Sequence, residues 1–197
     1  MTTRRVSWRR TDEVETDEHC TFAVRDTGLS LVGTVLGAEG GAPTRVEYRV
    51  LADRSGVTTA VHVRDLRGFE TRTLTLDRNA KGTWTVDGSV AKSLKGCSDV
   101  DLGCSPSTNT LPIRRLRLAA GASETVRVAL VRFPELDVVK VSQTYTRIDE
   151  FTYRFASDTF EAEIAVDDDA LVATYAEWRR TGYATGPEET IPLDAGR

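Results

Sequence analysis

The chain has 197 residues, of which 40% are hydrophobic and 28% charged, with a formal net charge of -4. A chain of this length can bury a sizeable core without staples, and its acidic balance argues against a nucleic-acid partner, which needs a basic surface. Its apolar runs fall short of a membrane span, and its three cysteines, Cys20, Cys97 and Cys104, supply neither a paired disulfide framework nor the spacing of a zinc site.

The N-terminal stretch from Met1 to Arg10 follows its positive charges with no apolar core, so it does not read as a secretory signal. Free thiols point to a reducing compartment, and the expected location is the cytoplasm. Asp12 to His19 and Leu171 to Arg180 are the only places that fit a short helix, and Leu171, Ala173 and Tyr175 also alternate as a strand would. Elsewhere period-two alternation dominates. Val46, Tyr48 and Val50 face one way while Arg45, Glu47 and Arg49 face the other, and Val57, Thr59, Val61 and Val63 continue the pattern. Trp84-Thr-Val86 leads into Asp87-Gly88, a tight-turn signal. Alternating runs recur at Val126 to Leu130, Val139 to Gln143, Phe151 to Phe155 and Phe160 to Val166. About a dozen such segments, with turn signals between them, predict an all-β chain. The expected architecture is a single large, strongly curved antiparallel sheet forming a barrel or half-barrel, with little helix. Residues 1–180 would make one domain, and 181–197 a weakly ordered tail.

Gly96 to Arg115 breaks the pattern. Asp99 and Asp101 are separated from Arg114 and Arg115 by a turn-rich segment without charge. If Ile113 to Leu118 is a strand, Arg114 shares a face with Leu116 and Leu118. A charge on an apolar face needs a partner, and Asp99 and Asp101 are the natural ones. One reading is a structural Asp–Arg network that pins the loop. In the other, Arg114 or Arg115 offers its planar fork to a ligand phosphate or carboxylate at the mouth of an apolar cavity. Asn109 reads as a turn-former, with Pro106 and Pro112 fixing the entry and exit of the loop. Asp99 and Asp101 lack the third ligand of a metal site, so neither a metal nor a cofactor is expected.

Certain residues of this segment carry a family resemblance: Gly96-Cys97, Asp99-Val-Asp-Leu102 and, above all, Thr108-Asn-Thr-Leu-Pro-Ile-Arg-Arg-Leu116. Gly33-Thr-Val35, Tyr48, Asp53, Gly82-Thr-Trp84, Gln143-Thr-Tyr145 and Tyr153 extend it over roughly residues 20 to 178. On these residues the chain resembles the "Putative glycolipid-binding" family, a group of bacterial β-proteins. The resemblance implies one curved, barrel-like sheet, similar in shape to periplasmic carriers that shield the lipid tails of lipoproteins.

The chain carries no Gly-x-Ser-x-Gly elbow, no phosphate-binding glycine loop and no His-Glu-x-x-His. With the resemblance, the expected function is non-enzymatic binding of an amphipathic ligand, which the resemblance implies to be a glycolipid or acyl-lipid, in the concave sheet. Its tails would enter the cavity, and its head group would meet Arg114, Arg115, Asp99, Asp101, Thr108, Asn109 and Thr110. The alternative is an enzyme in which Asp99 or Asp101 is the general base and Arg114 or Arg115 steadies negative charge.

Overall fold

The computed structural model describes residues 2–12, 15–39, 41–67 and 69–186. Six strands run outward as a meander: β1 (Thr2–Arg10), β2 (Thr16–Arg25), β3 (Gly28–Glu39), β4 (Ala42–Ala52), β5 (Thr58–Arg67) and β6 (Glu70–Arg78). The short β7 (Trp84–Val86) and β8 (Ser89–Val90) complete that half. Asp87 and Gly88 join them with φ of 48° and 77°, the left-handed conformations that a tight hairpin turn requires. The chain then crosses to the far edge, where β9 (Asp99–Leu102) lies parallel to β10 (Ser123–Val131). A second meander runs through β11 (Val138–Arg147), β12 (Thr152–Ala156), β13 (Glu161–Val166) and β14 (Val172–Tyr175). It ends with β15 (Trp178–Gly186) paired to β1.

All fifteen strands belong to one sheet, with β8 and β9 as its edges. These two are neighbours in sequence, which dictates the shape. Laid flat, fifteen strands would be about 70 Å wide at ~4.8 Å spacing. The step from Val90 to Asp99 can span only about 30 Å. The sheet must curl until its ends approach. The curl brings edge strand β9 against the start of β5, where the Thr58 amide donates to the Ser98 carbonyl at 3.0 Å and the Val100 amide to the Thr58 hydroxyl at 3.2 Å. The edges do not pair, so the result is a curved half-barrel, not a closed one. The sheet is mixed where a wholly antiparallel one was expected. The chain leaves β9 through the interior and returns to its side in the same direction, which only a crossover allows.

That crossover fills the concave side. It holds a 3-10 turn, Ser107–Asn109, and one helix, α1 (Thr110–Leu116), and a second 3-10 turn, Lys92–Leu94, lies in the β8–β9 connection that leads to it. Leu94, Leu102, Leu111 and Ile113 pack into the same core as Trp8, Phe22 and Trp84. Both buried indoles donate to main-chain carbonyls, Trp8 to Val172 at 2.7 Å and Trp84 to Cys97 at 3.0 Å.

Sequence patterning misplaces four segments. Ile113 to Leu116 is helical, not extended, and α1 ends where Arg117 turns left-handed at φ 47°. Seven residues make under two helical turns, too few for a 3.6-residue period to show. Pro112 sits in the first turn, where a missing amide costs no hydrogen bond. Thr16 to His19 lies in β2, and Val172 to Arg180 in β14 and β15, because cross-strand pairing overrides a weak helical preference. Finally, β15 carries the chain in pairing register to Gly186, so Thr181 to Gly186 is sheet, and only 187–197 of the expected tail lies outside the described residues.

Gly33 shows how tightly the inner face is built. It pairs directly with Tyr48, and a Cβ added there would lie 2.4 Å from the Tyr48 ring. The phenol crosses β3 over this gap to reach Glu18 on β2. Gly33→Ala should therefore dislodge Tyr48 and cost about 3 kcal/mol in urea denaturation. A loss under about 0.5 kcal/mol would refute the packing described.

Candidate ligand-binding cleft

Strand pairing sorts the polar residues of the crossover into three groups. The first lies at the end of the half-barrel that bears the β2–β3 and β4–β5 turns. Between those turns and the C-terminal end of α1 is an open cleft of about 470 Å³. Its apolar wall includes Val24 and Leu29, and its polar wall carries five arginines: Arg25, Arg54, Arg114, Arg115 and Arg117. Asp53 is the one carboxylate lining it, and that group is occupied. Its Oδ1 accepts from the Ser55 amide at 2.9 Å, the Ser55 hydroxyl at 2.5 Å and the Val57 amide at 3.1 Å. Burial pushes the Asp53 carboxyl up, but these bonds outweigh it and hold the group below the usual carboxylate range.

The arginines differ in how far they are committed. Consecutive helical residues point about 100° apart, so Arg114 and Arg115 diverge. Arg115 turns inward to fully buried Asp99, with Nη2 to Oδ2 at 2.5 Å and Nε to Oδ1 at 3.2 Å, and it also reaches the Ser98 hydroxyl at 3.1 Å. Gly56, at φ +83°, lies against the start of that side chain, where an added Cβ would stand 3.1 Å from the Arg115 Cβ. Arg114 donates to the Asp169 carbonyl at 2.9 Å and lies 5.3 Å over the Phe22 ring. Its distance to the Asp169 carboxylate is 3.8 Å. Arg54 donates to the Asp26 carbonyl, and Arg25 to the Ser30 hydroxyl at 3.2 Å. Arg117 is exposed and makes no ion pair among the described residues.

A second group surrounds Asp101, which makes no bond to arginine. Its Oδ2 accepts from the Gln143 amide at 2.6 Å and its Oδ1 from the Thr108 hydroxyl at 3.1 Å. Burial raises the Asp101 carboxyl against those bonds. Tyr145 donates to Asn109 Oδ1 at 2.9 Å, and Asn109 donates to the Pro106 carbonyl at 3.2 Å. The Thr110 hydroxyl is buried with no partner. Asp99, Asp101, Thr108, Asn109 and Thr110 thus sit inside the fold and line no part of the basic cleft. Of the sequence-predicted residues, only Arg114 and Arg115 do.

The third group escaped sequence reasoning. Glu18, 2% exposed, accepts from the Tyr48 phenol and from the Ser105 hydroxyl at 2.8 Å. Ser107 lies 2.8 Å from the phenol and 2.7 Å from Ser105. Among the described residues Glu18 makes no ion pair, and its Oε2 has no hydrogen-bond partner. Burial pushes Glu18 up to about 7 despite the three hydroxyls. Its signal was parity: Glu18 alternates on β2 with inward Cys20 and Phe22.

No three His, Cys, Asp or Glu side chains gather as a metal site among the described residues. No helix among them is long and apolar enough to cross a membrane.

Comparison with known proteins agrees with this architecture. A crystal structure of a DUF1089-family protein from Pseudomonas aeruginosa superposes with a TM-score of 0.73 at 28% identity, over 85% of this chain and 91% of the other. No curated protein matches the chain significantly. The family model described as "Putative glycolipid-binding" matches residues 5–180, nearly the whole described sheet, and the chain belongs to that family.

Proposed function

We propose that the protein binds an amphipathic ligand, a glycolipid or acyl-lipid, without chemical turnover, and that the cleft at the end of the concave face receives it. One observation carries this reading: the cleft is itself amphipathic, with Val24 and Leu29 on one side and guanidinium groups on the other. Family membership supports binding at a coarse level. The concave interior is occupied by Leu94, Leu102, Leu111 and Ile113, so the ligand's apolar part would lie along the cleft wall and enter the sheet only as α1 yields. Arg114 serves the ligand more directly than Arg115, whose fork is committed to Asp99.

A general base would need an open approach. Asp99 is buried against Arg115, and Asp101 is held by Gln143 and Thr108, away from the cleft. This favours binding over catalysis. The test is mass spectrometry of organic extracts from natively purified protein. A stoichiometric lipid or glycolipid supports the reading. Extracts without any amphiphile, together with failure to take up a fluorescent acyl probe, refute it.

A further inference from the structure

We infer that the cleft selects its ligand by an oxyanion, a phosphate or carboxylate group on the head, and that a neutral sugar alone does not suffice. This deepens the amphiphile reading above and rests on it. The argument is one of charge supply. Five guanidiniums border a volume of about 470 Å³ with Asp53 as the sole lining carboxylate. Asp53 takes its hydrogen bonds from neutral donors of its own turn, so it keeps its charge and offsets one guanidinium, and Asp99 neutralises Arg115.

The cleft therefore keeps an excess of positive charge, with Arg54, Arg114 and Arg117 outnumbering the one lining carboxylate left to answer them. The Asp26 carbonyl occupies Nε of Arg54, and the Asp169 carbonyl occupies Nη1 of Arg114; their other donors make no hydrogen bond among the described residues and can serve a ligand. Phe22 stacks on the Arg114 guanidinium and holds it in place, so little side-chain freedom is lost on binding. Arginine donors in planar forks match the spacing of oxygens on phosphate and carboxylate, and they are over-represented where such groups are recognised. A neutral sugar would offer hydroxyls that accept from these donors without offsetting their charge. The nearby acids outside the lining answer it only in part: Asp167 pairs with Arg180 at 2.5 Å, and Asp169 is shared between Arg4 at 2.8 Å and Arg114 at 3.8 Å, leaving Arg54 and Arg117 without an ion pair among the described residues.

Calorimetric titration of the full chain with monomeric dodecyl phosphate, dodecyl maltoside and inorganic phosphate separates the cases. The inference predicts at least about tenfold tighter binding of dodecyl phosphate than of dodecyl maltoside. It also predicts that Arg54→Ala and Arg117→Ala, both at exposed positions, each weaken the phosphate ligand about tenfold and leave the maltoside unchanged. Arg154→Ala, on exposed β12 surface, should change neither. Equal binding of the two amphiphiles, insensitive to the cleft arginines, would overturn the oxyanion inference and leave the amphiphile reading standing. Inorganic phosphate binding as tightly as dodecyl phosphate would uphold the oxyanion site and remove the lipid. No binding of any of the three would sink both.

Discussion

Arg115→Ala is expected to destabilise the fold by about 3 to 5 kcal/mol, because it strands a fully buried carboxylate. The Asp99 side chain is 0% exposed and Arg115 is its ion-pair partner among the described residues, with Ser98 Oγ adding a bond to Asp99 at 2.6 Å. The pair also closes the half-barrel mechanically. Asp99 opens the edge strand β9, Arg115 lies on α1, and Thr58 ties the adjoining Ser98 to the start of β5. Arg114→Ala should cost only about 1 kcal/mol, since its carboxylate contact is 3.8 Å long and its two side chains are 30% and 24% exposed. Urea denaturation of both variants checks the contrast. Equal losses, or an Arg115→Ala loss below about 1 kcal/mol, would mean that Asp99 is satisfied by other means.

Glu18 should make the protein lose stability as pH rises from 5 to 8. Its folded pKa of about 7 lies above the unfolded value near 4.5, so its stabilising contribution is full below pH 4.5 and is lost on the way up to pH 7. Across pH 5 to 8 the change is roughly 2 to 3 kcal/mol, and the curve flattens above the folded pKa. Glu18→Gln copies the protonated carboxyl in shape and in hydrogen bonding to Tyr48 and Ser105. The variant should hold its stability over this window and exceed the parent at pH 8. Subtracting the two curves cancels other titrating groups. The idea fails if the parent and variant curves run parallel.

The same two residues mark what the sequence made legible. Period-two alternation was enough for an all-β chain and a curved sheet, because nearly every strand has one face on the core. The uncharged stretch between Asp101 and Arg114 rightly stood out, since it threads the interior and must satisfy its own polar groups there. Which arginine met which aspartate was not legible. Extended geometry would put Arg114 among the leucines, whereas a short helix turns Arg115 inward and sends Arg114 to Phe22 and Asp169. Asp101 finds Gln143 across 42 positions of sequence, and only strand order brings β9 and β11 to either side of β10. Arg25 and Arg54 joined the cleft for a similar reason: they sit in turns that strand order places at one end. Glu18 was hidden by its neighbours, because Asp12 to His19 fits a short helix until pairing with Trp8 and Val35 fixes its face on β2.

The central claim is that an amphiphile enters at the arginine end of the half-barrel. Amide chemical-shift mapping during titration with monomeric dodecyl phosphate tests it most directly. Saturable shifts are predicted at Gly28, Arg54 to Gly56 and Arg114 to Arg117, around the cleft. A second hollow of about 210 Å³ lies at the opposite end, beside Gly103, Cys104 and Phe133. Shifts confined to that end, or none at all, would contradict the account.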